Sequence, residues 1–279
     1  MTFSNAIWSS EKVRNSLPVR QDSSHKGTFG TALLLAGSKD MPGAALLAGL
    51  GAMRSGVGKL ELGTEAEVIS MIVPQLPETT YIRDGLTLVA RGELQLKNYK
   101  AAAIGPGLLP DDRTERAIAH LFQSNLPLVL DAGALSQRSY PKREAPIILT
   151  PHAGEFARIT GTEPKSLQEN RAGLATQWAH TLGTTIVLKG QDTIIAFPDG
   201  ETWQNPTGNS ALAKGGTGDT LTGMMLGMLC CHENWKHAVL NAVHLHGACA
   251  DKWTQNHSPH TLLAHELTEL LPAVWKNFE

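Results

Sequence analysis

The chain has 279 residues, of which 42% are hydrophobic and 18% are charged, and its formal net charge is −2. This length suffices for one large hydrophobic core, and the balanced charge argues against a surface for nucleic acid or anionic membranes. The three cysteines (Cys230, Cys231 and Cys249) have neither disulfide nor zinc spacing, which indicates a reducing compartment. No signal peptide or apolar stretch of about 18 residues is evident, so a cytoplasmic protein is expected.

The first 24 residues are polar and mixed in character, and we expect an arm that packs on its own subunit or on a partner. Short apolar runs then alternate with helical patterns. The predicted strands cover 31–37, 57–62, 79–82, 101–105, 127–131, 147–150, 185–189, 193–197 and 201–204. The predicted helices cover 42–55, 111–124, 154–160, 166–182, 217–229, 235–253 and 263–275.

This alternation predicts an α/β fold in which a mostly parallel sheet is covered by helices on both faces. Asp199-Gly200 is a hairpin signal, which predicts antiparallel strands at one edge of the sheet. No break in composition divides the chain. We therefore predict a single domain over 1–279, built as a three-layer α/β/α sandwich.

Polar and glycine-containing segments follow five of the predicted strands. Ligands of open α/β sheets bind beyond the carboxyl ends of the strands, so we expect these segments to converge on one rim of the sheet. The segments are 37–43, 105–107, 131–133, 150–155 and 189–192.

The stretch 205–223 is the strongest candidate for an anion site. Gly215, Gly216 and Gly218 precede an apolar helical run, and the first amides of a helix attract phosphate. The predicted anion loop comprises Gly215, Gly216, Thr217 and Gly218. It is not a P-loop, because no Gly-Lys-Ser/Thr follows the glycines. Asp219 would repel an anion unless it has a task, either as a proton acceptor or as a helix cap.

Four further residues lie at predicted strand ends. Lys189 could contact a nucleotide phosphate or be a solvated lysine, and Asp131 could cap a helix or belong to the site. His152 fits a hydrogen bond to substrate better than a metal pair with Glu155. Glu155 either orients water around Mg²⁺ or sits in a helical first turn. The remaining histidines of the last helices are interpreted as structural or surface residues: His237, His244, His246, His257, His260 and His265.

Several of these motifs occur together in one known family. The stretch 205–223 resembles the signature of the ribokinase-like superfamily. Together with Pro151-His-Ala-Gly-Glu155, Gly105-Pro-Gly107, 187–193 and 43–45, it is similar to the ADP-dependent NAD(P)H-hydrate dehydratases. The resemblance extends from about residue 25 to the C-terminal helices.

The resemblance implies a ribokinase-like fold and a repair reaction. In this family the S epimer of hydrated NADH or NADPH (NADHX or NADPHX) is dehydrated with ADP, and AMP and phosphate are released. Asp219 would accept the proton of the hydroxyl group, which is phosphorylated and then eliminated as phosphate. The resemblance also implies Mg²⁺, a homotetramer and a separate NAD(P)H-hydrate epimerase.

The family's binding residues carry over onto matching positions of this chain. Ala44, Gly107, His152 and Asp219 correspond to positions that bind the hydrate. The nucleotide-binding positions correspond to Lys189, Gly190, Gln191, Asp192, Thr193 and Gly218.

Two departures from the family pattern are present. Gly133 replaces a second carboxylate after Asp131, which weakens any metal role at that turn, and Ser210 stands where the family loop has proline. One alternative function is a ribokinase-like kinase for a vitamin-precursor alcohol. The other is a nucleotide-binding protein without catalysis, against which the presence of Asp219 argues.

Overall fold

The computed structural model describes residues 6–279 and contains a sheet of ten strands in the order β1-β10-β9-β8-β7-β6-β5-β2-β3-β4. The β8–β9 and β9–β10 pairs are antiparallel, and every other neighbouring pair is parallel. The strands are β1 (Ala6–Ile7), β2 (Thr31–Leu35), β3 (Lys59–Thr64), β4 (Thr80–Arg83), β5 (Ala101–Ile104), β6 (Leu128–Leu130), β7 (Ile147–Leu149), β8 (Thr185–Leu188), β9 (Ile194–Ala196) and β10 (Thr202–Gln204).

Helices cover both faces of this sheet, so the predicted three-layer fold is confirmed. They are α1 (Ser10–Arg14), α2 (Pro42–Arg54), α3 (Ala66–Ile72), α4 (Gly85–Ala90), α5 (Asp112–Phe122), α6 (Ala153–Thr160), α7 (Pro164–Glu169), α8 (Arg171–Leu182), α9 (Thr217–Cys231), α10 (Trp235–Thr254) and α11 (Glu266–Lys276). Short 3₁₀ turns lie at Leu96–Asn98, Ala132–Ala134 and Ser210–Leu212. Among the helices of residues 6–279, none combines the length and hydropathy that a bilayer crossing requires.

Strand β2 shows how the two faces are filled. Leu34 belongs to the hydrophobic cluster that includes α2, α9 and α10, whereas Leu33 and Leu35 belong to the cluster that includes α4 and α5. Side chains alternate between the faces of a strand, and all three leucines are fully buried. A strand covered on both faces is therefore continuously apolar, as β2 is after Thr31.

The structure differs from the predicted elements at one helix that is divided, at two helices that were not predicted and at the N-terminus. The predicted helix 166–182 is two helices, because the Asn170 side chain caps α8 by accepting a bond from the amide of Gly173 at 3.0 Å. Helices α3 and α4 were not predicted, since both are short and their apolar residues do not extend over a full amphipathic period.

The described part of the predicted arm packs on its own chain. Strand β1 pairs with β10, and the buried indole of Trp8 donates a hydrogen bond to Asn241 Oδ1 at 2.9 Å. The Trp8 and Trp203 rings meet edge to face at 5.1 Å between centroids. Strand β1 thus extends the sheet edge, whereas the first five residues of the predicted arm lie outside the described residues.

Helices α2 and α9 approach each other closely through glycine. A Cβ placed on Gly223 would lie 1.9 Å from the carbonyl oxygen of Ala48, and one on Gly51 would lie 2.5 Å from that of Thr220. Neither position leaves room for a methyl group. This contact fixes α9, whose N-terminus carries the candidate site, against the helix that follows β2.

We expect Gly223→Ala to lower the free energy of unfolding by about 1–3 kcal/mol, because the added methyl group has to push the two helices apart. Gly43→Ala is the matched control, since Gly43 is exposed in α2 and has no neighbouring atom within 4 Å of a Cβ. The control should be neutral or stabilising by roughly 0.5–1 kcal/mol. Urea unfolding followed by circular dichroism measures both, and equal stabilities of the two variants would contradict this packing.

Candidate active site

The five polar segments that follow strands lie at one rim of the sheet. They follow β8, β7, β6, β5 and β2, which are successive neighbours in the sheet and run parallel to one another. The carboxyl ends of these strands therefore point the same way. The sheet order therefore brings these segments together, as expected. The N-terminal part of α9 lies at the same rim, because Thr222 bonds to Asp131 and a Cβ on Gly218 would lie 3.2 Å from Lys189 Nζ.

The glycine-rich loop leads directly into α9, as the sequence predicts. Gly216 is the N-cap with φ at +91°, and a Cβ there would lie 2.6 Å from Leu47 Cδ1, so both backbone and space favour glycine. The Thr217 hydroxyl donates to the carbonyl oxygens of Leu212 at 2.9 Å and Lys214 at 3.0 Å, which holds the loop closed. Gly215 has open space beside it.

A cavity of about 640 Å³ lies beside this helix end. Its walls contain every residue predicted to bind the nucleotide: Lys189, Gly190, Gln191, Asp192, Thr193 and Gly218. The apolar part of the wall is formed by Leu212, Leu221 and Val243, and the polar part includes the loop 207–210. This volume and this mixture of apolar wall and convergent polar groups are typical of small-molecule sites.

The turn after β8 adopts an unusual backbone to present Lys189 to the cavity. Asp192 lies in the left-handed region with φ at +53°. The guanidinium group of Arg171 braces this turn by donating to the carbonyl oxygens of Leu188 and Lys189, both at 3.1 Å. Arg171 lies in α8, far from the turn in sequence, and nothing in the sequence pattern marks it.

Lys189 is not the solvated lysine that the sequence left open as an alternative, because it is paired with a carboxylate. Its ammonium group donates to Asp131 Oδ1 at 2.8 Å, and its side chain is only 20% exposed. Burial lowers the pKa of Lys189, but the charge and hydrogen bond of Asp131 outweigh burial and raise it. Asp131 also accepts a bond from the Thr222 hydroxyl at 2.8 Å. It stands at the N-cap position of the 3₁₀ turn Ala132–Ala134, but its side chain makes no capping bond there.

Asp219 lies in the first turn of α9, and the interpretation of this residue as the helix cap is wrong because Gly216 occupies the N-cap position. Burial and the negative charge of Asp131 raise the pKa of Asp219 to about 6, with a further contribution from Glu155 and an opposing one from Lys189. A carboxylate with this pKa is ionised at neutral pH and more basic than an ordinary aspartate. It has the property that a proton acceptor needs.

His152 and Glu155 cap α6 reciprocally. His152 Nδ1 accepts bonds from the amides of Gly154 and Glu155 at 3.0 and 3.3 Å, and Glu155 Oε2 accepts from the His152 amide at 2.9 Å. Because Nδ1 is an acceptor, the neutral ring carries its proton on Nε2. The His152 side chain is 63% exposed, and its Nε2 lies 3.6 Å from Glu155 Oε2, which is too far for a hydrogen bond. This N–H is therefore available to a substrate.

Ala44 and Gly107 are neighbours across the ends of β2 and β5. A Cβ on Gly107, whose φ is +66°, would lie 2.7 Å from the Ala44 Cβ. Ala44 is almost fully buried, and the amide of Gly37 donates to the Pro106 carbonyl oxygen beside them at 2.8 Å. Only small residues therefore fit at these two positions.

Two residues of α10 shape the cavity and were not predicted as site residues. Asp251 accepts bonds from the Gly208 amide at 2.9 Å and from Asn209 Nδ2 at 2.8 Å, which fixes the loop 207–210. His246 is buried, and burial lowers its pKa to about 4. Its neutral ring therefore donates from Nε2 to the Thr217 carbonyl oxygen at 2.9 Å, a structural role in agreement with the sequence interpretation.

Within residues 6–279 there is no group of three or more His, Cys, Asp or Glu side chains arranged to hold a metal ion. Glu155 is engaged in the capping box and Asp131 in the contact with Lys189 and Thr222. The side chains of this site thus do not form a complete coordination shell of their own.

Comparison with known proteins identifies the group to which the chain belongs. A model of the NAD(P)H-hydrate dehydratase family matches residues 32–273. The chain is 64% identical over 273 residues to the ADP-dependent (S)-NAD(P)H-hydrate dehydratase of Bacillus subtilis strain 168. This match covers 98% of this chain and 99% of that protein. It is 33% identical over 296 residues to a bifunctional NAD(P)H-hydrate repair enzyme of Moorella thermoacetica, and covers 55% of that longer enzyme.

A solved structure agrees with these sequence matches. The ADP/ATP-dependent NAD(P)H-hydrate dehydratase of Bacillus subtilis, co-crystallised with ATP and Mg²⁺, matches this structure with a TM-score of 0.97 at 63% identity over the full length of both chains. The family match covers most of the chain, including every predicted site residue. The protein is therefore a member of the NAD(P)H-hydrate dehydratase family, with the ribokinase-like fold that its sequence predicts.

Proposed function

We propose that this enzyme dehydrates the S epimer of NADHX or NADPHX to NADH or NADPH, using ADP and releasing AMP and phosphate. The observation that carries the proposal is the placement of Asp219, a carboxylate with a raised pKa, in the first helical turn beside a nucleotide-sized cavity. The identity of 64% to a Bacillus subtilis protein that has this activity supports it.

The nucleotide would lie in the cavity, with its phosphates at the amides of the anion loop 215–218. Lys189 through Thr193 and Gly218 would line its binding site, and Lys189 would supply a fixed positive charge. The hydrate would lie on the backbone surface at Ala44 and Gly107, between the Nε2–H of His152 and the carboxylate of Asp219. This arrangement brings the hydroxyl group toward the terminal phosphate of ADP.

The chemistry then has two stages. Asp219 accepts the hydroxyl proton as the hydroxyl oxygen bonds to the β-phosphorus and the bond from phosphorus to the oxygen of AMP breaks. The anion loop stabilises the charge that develops on the transferred group. In the second stage the lone pair of the ring nitrogen expels phosphate from the carbon beside it. The next ring carbon then loses a proton, and the double bond that forms between these two carbons restores the dihydronicotinamide. Phosphorylation is needed because hydroxide itself is a poor leaving group.

Mg²⁺ is proposed to arrive with the nucleotide, because the protein side chains do not form a complete shell for it. Mg²⁺ commonly keeps several waters and binds substrate phosphates together with one or two carboxylates. Glu155 is a carboxylate at hand, and it would act through water. The ion would neutralise phosphate charge; the residue roles above do not depend on its position.

We further propose a homotetrameric, cytoplasmic enzyme that acts as one catalytic domain and works with a separate NAD(P)H-hydrate epimerase. The bifunctional relative supports a link to a second repair activity, and the three unpaired cysteines support a reducing compartment. The kinase alternative would stop after phosphoryl transfer, and the family match favours the dehydratase over it. Light scattering measures the assembly.

The proposed reaction predicts recovery of the reduced-nicotinamide absorbance when protein, Mg²⁺, the S hydrate and ADP are mixed. Asp219→Asn should lower the rate on the order of 10²–10⁴-fold, because it removes the proton acceptor. A parallel reaction with ATP tests the phosphoryl donor, and AMP is quantified by chromatography. AMP without absorbance would indicate a kinase, and neither product would contradict the proposal.

His152→Asn separates binding of the hydrate from capping. Asparagine is as good an N-cap as any residue, so the free energy of unfolding should stay near that of the wild type. The loss of the Nε2–H should raise the KM for the hydrate by about tenfold while the KM for ADP stays unchanged. His152→Ala is the matched comparison, and it should also lose about 1 kcal/mol of stability. An unchanged KM in His152→Asn would limit this residue to capping.

A further inference from the structure

The buried carboxylate of Asp131 connects three separate elements. Asp131 follows β6, Lys189 follows β8, and Thr222 lies in α9. The Asp131 side chain is 2% exposed, and each of its oxygens accepts one bond of 2.8 Å, Oδ1 from the Lys189 ammonium and Oδ2 from the Thr222 hydroxyl. A buried carboxylate bound on both oxygens is held in a single orientation, and so are the groups that bind it.

This contact acts on the helical turn that carries Asp219. Thr222 lies three residues after Asp219 in α9, so the two side chains share a face of the helix. The bond from Thr222 to Asp131 therefore fixes the rotation of that turn relative to β6. Asp131 thus positions both Lys189 and the turn of α9 that carries Asp219.

Gly218 shows how narrowly Lys189 is placed. A Cβ on Gly218 would lie 3.2 Å from Lys189 Nζ, and the φ of Gly218 is not in the left-handed region. A methyl group at this position would therefore crowd the ammonium group, whereas the backbone conformation there does not require glycine. The ammonium group occupies the gap between the first turn of α9 and the Asp131 carboxylate.

Without Asp131, the Lys189 ammonium group could pair with another carboxylate of the site. The charged groups that act on Asp219 are Asp131, Lys189 and Glu155. Glu155 Oε2 is occupied by the His152 amide, and His246 nearby is neutral because it is fully buried. Glu155 and Asp219 are the remaining carboxylates whose charges act on Lys189, and pairing of the ammonium group with Asp219 would make Asp219 a weaker base.

We propose that Asp131 is a positioning residue that holds Lys189 away from Asp219, which keeps the lysine available to the nucleotide and the aspartate available to the hydroxyl proton. This inference rests on the proposed function for its catalytic consequence. It also has a consequence for binding: Lys189 is placed to contact a nucleotide phosphate only while Asp131 holds it. This consequence can be tested without turnover.

The test is a comparison of Asp131→Asn and Thr222→Val in the NAD(P)H-recovery assay across pH. Asp131→Asn keeps the shape but removes the charge, so kcat/KM should fall on the order of tenfold or more, and the acid limb of its pH profile should move to lower pH. Thr222→Val keeps the charge, so its acid limb should stay with that of the wild type. An unmoved limb in Asp131→Asn would overturn the proposal. Because loss of the Asp131 charge alone also lowers the pKa of Asp219, the double-mutant cycle with Lys189→Met decides whether Lys189 takes part.

Two matched controls identify general effects of these substitutions. Asp112→Asn removes a charge at an exposed position of α5, and Thr185→Val removes a buried hydroxyl that has no hydrogen-bond partner among residues 6–279. Both should retain the pH profile and kcat/KM of the wild type. Thermal unfolding of all variants shows whether Asp131→Asn is folded under the assay conditions.

A double-mutant cycle with Lys189→Met, measured as the Kd for ADP by calorimetry, tests the contact independently of turnover. If Asp131 acts through Lys189, Asp131→Asn should weaken ADP binding in the wild-type background and have little further effect in Lys189→Met. Additive effects would overturn the proposal. A wild-type enzyme that binds ADP but gives no NAD(P)H would contradict the proposed function, and the cycle would still decide the role of Asp131. If Asp131→Asn does not fold, Thr222→Val in the same cycle decides it.

Discussion

The site depends on one buried ion pair at the rim of the sheet. Lys189 and Asp131 meet at 2.8 Å where burial strengthens their attraction and makes an unpaired charge expensive. Asp219 stands near this pair and near Glu155, so it is a third negative group in a partly dehydrated place. The same arrangement that raises the pKa of Asp219 also keeps Lys189 charged. A basic carboxylate and a fixed cation can therefore exist side by side.

The rest of the fold serves to hold this arrangement still. Five neighbouring parallel strands deliver backbone turns to one rim, and α9 brings its N-terminus to the same place. Close contact with α2 through Gly223 and Gly51 fixes α9 in position, because no side chain separates the two helices. The floor of the predicted hydrate site, Ala44 and Gly107, is built by the same principle of small residues in tight contact. The rigid elements carry the chemical groups, as precise positioning requires.

Much of the fold and of the candidate site could be predicted from the sequence because it depends on local patterns. The glycine loop before an apolar run indicates the α9 N-terminus, and alternating apolar runs indicate the sheet and its two layers. Contacts between distant residues leave no such pattern. Arg171 braces the turn after β8 from α8, and Thr222 looks like any helical threonine until α9 is placed beside β6. The capping role of His152 likewise needs the geometry of α6.

The most direct measurement of the central claim is the pH dependence of stability in Asp219→Asn and the wild type. Raising the pKa of Asp219 from 3.8 to about 6 means that the folded state holds its proton more tightly than the unfolded state. Wild-type stability is therefore lost as the pH rises through 6, whereas the neutral asparagine avoids this loss.

Urea unfolding between about pH 4 and pH 8 should show Asp219→Asn more stable than the wild type at neutral pH by roughly 1–3 kcal/mol. The difference should vanish as the pH falls toward 4. A variant that is less stable than the wild type at neutral pH, or a difference that does not change with pH, would contradict the account of Asp219 as a carboxylate whose ionised form the fold disfavours.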